Sequence, residues 1–460
     1  MVHYDSIERS FTREEGMKKI WIIVLFVVIA VFGSLFAEGT YTYDDFESSE
    51  ICASCHESIY RQYDRSMMSQ TFTHIWDEVE YYELALPHAR KLPKVAEVEA
   101  GCNGCHAPVA FLTGDIPPKK PAEESRANDS LSCDLCHTIT GFKGEVPFNF
   151  NFVVEPGETK YGTRKGGEST YHEIAVTPFL HTAEFCGTCH NEKDPYGIWV
   201  KSTHLEWKES PQGKAGVLCQ DCHMTPARSA SVTAGAVYDD VRQHLFHGAH
   251  DTGKLEGAAE ILLYADAKKV KPGKTLTLEA FVLNAKAGHS IPSGSAEERL
   301  VWLHVEAKDA RGNTYHLPVD PKGFPGEELL IADPEAYAYQ DIGDIKGIDN
   351  FKGIKRDGDV PAGDRIFRLP YLDPDGRMTI AQWHTASLGV DYRLKPLEAR
   401  RETFTWKVPK DLPEGDVTIH AEVFYSRLVP SVARYMKIPE EEYAPVSMNA
   451  DKIVLPVVSK

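Results

Sequence analysis

Three different patterns of hydrophobic and polar residues follow one another along the 460-residue chain. The first is an uncharged apolar run over residues 20–36. The second, over residues 38–254, has little regular periodicity, and its best candidate for longer helices is the stretch 58–91. After about Leu255, apolar and polar residues alternate in the way that is typical of β-strands. The pattern therefore predicts an apolar terminal segment, a loop-rich region with short helices and a β region.

Within the β region, the clearest alternation covers residues 274–285 and residues 299–319, the second on both sides of the turn DARGN. Residues 400–429 read as two strands joined by the segment PKDLPEG. About seven such strands over about 200 residues predict a β-sandwich. Residues 320–365 are rich in Gly, Asp and Pro and are expected to form a long excursion from it.

The fold class that these patterns predict is α+β. We expect residues 38–254 to form a loop-rich domain with short helices, and residues 255–460 to form an Ig-like β-sandwich domain. Residues 1–37 are expected to be a signal peptide or an N-terminal membrane anchor.

The start of the chain has the plan of an exported protein. Lys18 and Lys19 precede the apolar run, and the small residue Ala37 follows it. The run is long for a signal peptide and slightly short for a membrane span, so a cleaved signal and a retained anchor both remain open. Both alternatives place the rest of the chain outside the cytoplasm, because the lysines stay inside.

The balance of charges is acidic, with a formal net charge of −18. Nucleic acid binding rewards a basic surface, so this composition argues against a nucleic acid partner. It is compatible with basic protein partners.

All ten cysteines of the chain lie in five copies of the motif Cys-x-x-Cys-His. This is the attachment site of c-type haem, in which two thiols bond to the vinyl groups and the His binds the iron. Zinc sites or five disulfides would also use ten cysteines, but neither requires a His after each pair. We therefore predict five covalently bound haem c groups. The cysteines and proximal ligands are Cys52, Cys55 and His56; Cys102, Cys105 and His106; Cys133, Cys136 and His137; Cys186, Cys189 and His190; and Cys219, Cys222 and His223.

Five macrocycles in residues 38–254 leave few residues for an ordinary core, so we expect the prosthetic groups to fill much of this domain. Each six-coordinate iron also needs a second axial ligand. His289, in a Gly-rich turn of the β region, is a candidate that would reach across the domain boundary. The other histidines near the fourth and fifth copies remain open as ligands: these are His172, His181, His204, His244, His247 and His250.

The first copy differs from the others because Met67 and Met68 follow it closely. A methionine sulphur is an accepted axial ligand and raises the reduction potential relative to His. We take Met68 as a candidate distal ligand, with His74 and His88 as competing donors and ordinary packing of the methionines as the alternative.

The stretches CASCHESIYRQYDRSMM, CDLCHTITG, AEFCGTCHN, THLEWKESP and CQDCHM resemble those of multihaem cytochromes of the cytochrome c-554 type. The segment NAKAGHSIPSG resembles a loop of such proteins that carry a C-terminal β domain. The resemblance covers roughly residues 48–300. It implies that His172, His244 or His250, and His289 are distal ligands. Met68 stands where such proteins often have a His, which leaves the ligation of the first haem open.

The function that we expect is electron relay between redox partners by an extracytoplasmic protein that need not be an enzyme. The partners would be other cytochromes, a quinol-oxidising membrane complex or an external electron acceptor. One alternative is an enzyme that reduces nitrite, hydroxylamine or a sulphur oxyanion at a haem with an open distal position. Another is a homo-oligomer or subunit of an extracellular cytochrome filament.

Overall fold

In the computed structural model, the described residues are 39–321, 331, 337–348, 353–355 and 359–458. The expected signal or anchor segment 1–37 lies outside them, as does part of the expected excursion 320–365. No helix in the described part of the chain is both long enough and apolar enough to span a bilayer.

The first half of the chain forms short helices separated by loops. Its α-helices are Ser49–Ala53, Glu57–Tyr63, Ile75–Val79, Leu86–Lys91, Val98–Gly101, Asn103–His106, Pro108–Thr113, Cys133–Cys136, Ala183–His190, Thr203–Glu209, Pro211–Lys214, Cys219–His223 and Thr252–Leu255. Short 3₁₀ helices are Tyr43–Asp45, Met67–Gln70, Pro93–Val95, Pro121–Glu123, Arg126–Asp129 and Phe179–His181.

The longest helical run falls where the sequence predicts longer helices. A π-helical turn, Glu80–Ala85, joins Ile75–Val79 to Leu86–Lys91. Pro87 has no N–H to donate to the preceding turn, and the wider turn before it accommodates the proline. The run therefore stays continuous, with Leu84 and Ala85 fully buried.

Small two-stranded sheets brace the loops of this half. The strands are β1 (Ile139–Phe142), β2 (Phe152–Val154), β3 (Thr159–Gly162), β4 (Glu173–Val176), β5 (Asn191–Lys193), β6 (Trp199–Ser202), β7 (Pro226–Ala230) and β8 (Val237–Arg242). They pair in sequence order, and only β3 and β4 are parallel.

The second half is dominated by antiparallel strands, as the alternation predicts. They are β9 (Ala259–Ala265), β10 (Thr275–Asn284), β11 (Leu300–Lys308), β12 (Thr314–His316), β13 (Tyr337–Ala338), β14 (Ile354–Lys355), β15 (Arg365–Phe367), β16 (Tyr371–Leu372), β17 (Ser387–Leu388), β18 (Ala399–Lys407), β19 (Asp416–Ser426) and β20 (Val446–Pro456). The helices of this half are Asp341–Lys346 and Pro430–Tyr435, with 3₁₀ turns at Gln382–His384 and Glu440–Glu442.

Eight of these strands form two sheets. One has the order β18-β10-β9, and the other has the order β12-β11-β19-β20 with β15 also paired to β11. Their inner faces enclose a core that includes Leu278, Leu303, Phe404 and Ile419, all fully buried. The strands β18 and β19, consecutive in sequence, lie in different sheets, so the segment PKDLPEG crosses between the layers.

The outer face of the five-stranded sheet packs against the helical half. Trp302 and Leu300 on β11 join a second apolar cluster with Leu84 and Trp76 of the helical run. The loop between β10 and β11 also contacts the helical half. Ser290 N and Ser293 Oγ of this loop both donate to the carboxylate of Glu206, in the helix Thr203–Glu209, at 3.0 and 2.8 Å. The sandwich thus holds this loop against the helical half.

Truncation of Leu303 should test the sandwich core. Leu303 is fully buried between the sheets, and Leu303→Ala should lower the free energy of unfolding by about 2–5 kcal/mol through lost burial and the cavity left behind. Urea unfolding followed by far-UV circular dichroism measures this change. Lys308→Ala, at the exposed end of the same strand, serves as the control. An equal midpoint for both variants would contradict the packing described.

Candidate haem-binding site

A continuous cavity of about 1880 Å³ runs through the first half of the chain and up to the sandwich. The His of all five motif copies lines it, as do nine of the ten cysteines. Close-packed protein interiors leave few voids larger than a water molecule, and ordinary ligand pockets are about 300–1,000 Å³. The side chains of this fold therefore surround a space that is shaped for large groups.

Each motif copy lies on a helical turn. The fourth and fifth copies lie wholly within the α-helices Ala183–His190 and Cys219–His223. In the other three copies, the backbone N–H of the motif His bonds to the carbonyl of the first cysteine and closes a helical turn. Ser132 and Thr182 cap two of these helices by accepting from the backbone N–H of Leu135 and Phe185, at 3.1 and 3.4 Å. The turn places both thiols and the imidazole towards one space.

Four of the five motif histidines are oriented by a backbone carbonyl at Nδ1. The Nδ1–O distances are 2.6–2.7 Å, to the carbonyl oxygens of Ser231 (from His56), Thr71 (from His106), Tyr161 (from His137) and His247 (from His223). An Nδ1–H that donates to a carbonyl leaves Nε2 as the free nitrogen of a neutral ring. Asp77, 3.0 Å from His106 Nδ1, adds a carboxylate to this arrangement.

Three of these rings face a second imidazole across a gap. His56 faces His172, His137 faces His244 and His223 faces His289, with ring centroids 6.3–6.4 Å apart and interplanar angles of 18–23°. The second ring of each pair also has a carbonyl at Nδ1, since Glu173, Arg242 and Ser290 accept at 2.9–3.0 Å. All six rings thus have Nδ1 bonded to a carbonyl and Nε2 free.

The spacing of these pairs fits an ion between them. A metal–imidazole bond is about 2.0–2.1 Å, and a ring centre lies about 1.1 Å behind its nitrogen, so two imidazoles on one ion have centres about 6.3 Å apart. Burial lowers the pKa of His223 and of His244 to about 4, which keeps both rings in the neutral form that binds a metal. The donors therefore fit haem iron with two axial histidines.

The remaining candidate ligands have other surroundings. Met68 lines the cavity, while the ring opposite His56 is that of His172, so ligation by Met68 stays a prediction. His250 does not face a motif histidine, and its ring meets that of His74 at 5.2 Å, with Nε2 of both within 3.5 Å of Glu442.

The other open histidines also bind protein groups. His88 accepts from Trp383 Nε1 at 3.1 Å, His181 contacts Arg242, and His247 contacts Asp251. His204 packs behind the fourth copy, where a Cβ on Gly187 would lie 2.8 Å from its ring.

The second and fourth copies have a different environment. Among the described residues, no imidazole stacks opposite His106 or His190 as in the other three pairs. A buried polar cluster lines the cavity beside them instead, in which Lys201 Nζ is 2.7 Å from the Glu192 carboxylate. Nothing in the motif spacing signals this cluster, because its members come from distant parts of the chain.

Glu80 and Glu298 extend this cluster. Burial raises the pKa of Glu80 well above its ordinary value, and the neighbouring Glu298 carboxylate adds to the shift. A shared proton between the two carboxyl groups therefore relieves their repulsion. This side of the cavity combines a cation, a carboxyl group with a raised pKa and a space beside two motif histidines.

Cysteines of different copies lie in contact. Each cysteine of the fourth copy contacts a cysteine of another copy. One cysteine of the first copy contacts one of the third. The contacting thiols are Cys52 with Cys133, Cys105 with Cys189, and Cys186 with Cys219. These attachment turns are thus close neighbours, and the fourth copy lies between the second and the fifth.

Two family models match parts of the chain. The model described as cytochrome c554 and c-prime matches residues 51–138, and the N-terminal region of the NapC/NirT cytochrome c family matches residues 169–274. A search of curated protein sequences gave no significant match.

A crystal structure of a penta-heme cytochrome c552 from Thermochromatium tepidum is similar in fold. It is 21% identical, with a TM-score of 0.61, over 89% of this chain and 99% of that chain. The sporulation control protein Spo0M from Bacillus subtilis (10% identical, TM-score 0.17, 44% of this chain and 51% of that chain) also matches in part. So does the N-terminal domain of the adhesin Sgo0707 from Streptococcus gordonii (11% identical, TM-score 0.20, 43% of this chain and 32% of that chain). TM-scores of 0.17 and 0.20 do not indicate a shared fold.

The two matched regions contain all five motif turns and the facing imidazoles of His172 and His244, while His289 lies beyond them. The two family matches support a multihaem c-type cytochrome with an electron-transfer role, and the penta-heme cytochrome has a similar fold.

Proposed function

We propose that this protein is an extracytoplasmic cytochrome with five covalently bound haem c groups that relays electrons between redox partners. The observation that carries the proposal is the set of three imidazole pairs, each with Nδ1 bonded to a carbonyl and with a spacing that suits one ion. Two axial histidines leave no coordination position for a substrate, which is the arrangement that a carrier needs.

The residues divide into three roles in this proposal. All ten cysteines bind haem covalently, and the five motif histidines are proximal ligands. His172, His244 and His289 are distal ligands of the first, third and fifth copies. His172, rather than Met68, then serves the first copy, and the ligands opposite His106 and His190 stay unassigned.

When bound, haem c supplies one-electron redox chemistry. The chain itself fixes seven of these rings through a carbonyl at Nδ1. Burial lowers the pKa of His137, His223 and His244, which favours their neutral form, and the chain holds several attachment turns in contact. The neighbouring cysteines support two groups of attachment turns: the first copy with the third, and the fourth copy between the second and the fifth. Haems attached there would be close neighbours within each group.

Partners and location follow from the same proposal. A c-type cytochrome with an exported amino-terminal pattern would work outside the cytoplasm, with other cytochromes, a quinol-oxidising membrane complex or an external acceptor as partners. The anchoring of residues 1–37, the domain boundary near residue 255 and filament assembly remain predictions.

Voltammetry of the matured protein on an electrode tests carrier function directly. We expect reversible one-electron waves that account for all bound haem, and no increase in current when nitrite, hydroxylamine or sulphite is added. A sustained catalytic current with any of these compounds would replace the carrier proposal with the reductase alternative.

His289→Ala should convert one iron from low-spin to high-spin while all covalent haem is retained, because the ring opposite His223 is removed. EPR of the oxidised protein and intact-mass analysis measure the two quantities. His247→Ala is a matched control, since the His247 side chain pairs with Asp251 and only its carbonyl contacts His223. An unchanged spin state in His289→Ala would reject the assignment of this ligand.

A second candidate function is reduction of a small anion at the second or fourth copy. The specific observation in its favour is the cluster of Lys201 and Glu80, whose carboxyl pKa is raised by burial, beside His106 and His190, where no facing imidazole is described. A cation and a proton donor next to an open haem would suit such a substrate.

Carbon monoxide separates the two functions. The reduced wild-type protein should show no shift of its Soret absorption with carbon monoxide if every iron has two protein ligands. A shift equivalent to one or two haems would support the reductase, and Lys201→Met should then raise the KM for the anion more than Lys208→Met, which alters an exposed lysine.

A further inference from the structure

A cluster of metal-binding side chains lies in the sandwich, outside the haem cavity. His304 on β11 and His316 on β12 stack with parallel rings, 5.1 Å between centroids and 4° between planes. Both contact the same oxygen of Asp364, since His304 Nδ1 and His316 Nε2 are 2.9 and 2.8 Å from Oδ1. The three donor atoms lie within 4.8 Å of one another.

The backbone brings these residues together from three strands. His304 and Glu306 lie on the outer face of β11, and Glu306 is paired with His316 across the ladder. Asp364 directly precedes β15, which pairs with the other end of β11. Gly363, at φ +92°, permits this approach, because a Cβ there would lie 2.5 Å from Pro318 Cβ.

Among the described residues, the carboxylate of Asp364 is paired with the two imidazoles alone. Its side chain is fully buried, and a buried carboxylate is costly unless it is paired or binds a metal. The adjacent Arg365 directs its guanidinium to Glu402, with Nε 3.0 Å from the carboxylate. Glu422 lies directly across the ladder from His304, so further negative charge surrounds the two imidazoles.

We propose that His304, His316 and Asp364 bind one divalent transition-metal ion such as Zn²⁺. Two imidazoles and one carboxylate are a donor set that suits such ions. Tetrahedral bonds of about 2.1 Å place neighbouring donor atoms about 3.4 Å apart, so the two N–O distances of 2.8–2.9 Å must lengthen by about 0.5 Å when the ion binds.

A metal-bound imidazole commonly has a carboxylate near the ring nitrogen that does not bind the metal, and Glu306 has this position relative to His304. Its carboxylate lies 3.7 Å from His304 Nε2, the nitrogen on the far side of the ring from Asp364. A carboxylate in this place favours the tautomer with Nδ1 free for the metal. A hydrogen-bonded His-Asp-His group without metal is the alternative that the experiment must exclude.

The test uses the matured holoprotein after removal of metals with a chelator. Calorimetric titration with Zn²⁺ and elemental analysis of the desalted protein should show one Zn²⁺ per chain beyond the haem iron. His316→Ala and Asp364→Asn should each weaken this binding by about 100-fold or more. His420→Ala, which alters a histidine on the same face of the neighbouring strand, should bind Zn²⁺ as the wild type does.

Thermal unfolding gives a second readout. Zn²⁺ should raise the melting temperature of the wild type and of His420→Ala, but not that of His316→Ala, because only binding to the folded state stabilises it. The His316 side chain is partly exposed, whereas that of Asp364 is fully buried. The His316→Ala variant therefore tests the site even if Asp364→Asn does not accumulate as a folded protein. A wild type that takes up no Zn²⁺, or a His316→Ala variant that binds it equally, would overturn the proposal.

Discussion

The hydrogen bond between an imidazole Nδ1 and a backbone carbonyl is the constraint on which the rest of this structure depends. It fixes the tautomer, directs Nε2 into the cavity and ties each ring to a particular loop. The carbonyls belong to residues far from the motifs in sequence, so loops that look irregular must still be placed accurately. Small sheets and helix caps in the first half provide this accuracy without a large apolar core.

The sandwich contributes to the same site. Its two sheets form the largest apolar core of the described residues, and the loop after β10 carries His289 to the cavity. Glu206, from the helical half, accepts two hydrogen bonds from that loop and also pairs with Arg393 at 2.7 Å. The β sandwich thus supports the loop whose His289 faces His223, and is not only an appended module.

The sequence was sufficient to predict the two-part α+β fold, the motif turns and most of the long strands. Alternation identified β10, β11 and β19 because each has one face on a core. It could not show that β18 and β19 belong to different sheets, since strand pairing depends on contacts distant in sequence. For the same reason, spacing could not tell which histidine faces which motif, nor reveal the cluster around Lys201.

The ligand to the first copy shows this limit most clearly. The nearby Met68 was a reasonable candidate by proximity in sequence, whereas the ring that faces His56 comes from His172, in a loop ordered by the pairing of β3 with β4. Long-range pairing therefore outweighs local order in this domain. The β3–β4 sheet is also the only parallel pair among the named strands.

The central claim is that a porphyrin is bonded through thioethers at every motif turn. Intact-mass spectrometry of protein matured in a host that attaches haem c, under denaturing conditions, tests it most directly. The account predicts a mass that exceeds that of the polypeptide by five haem groups, with no free thiol left to alkylate. A smaller increment, or cysteines that still react with an alkylating agent, would contradict it.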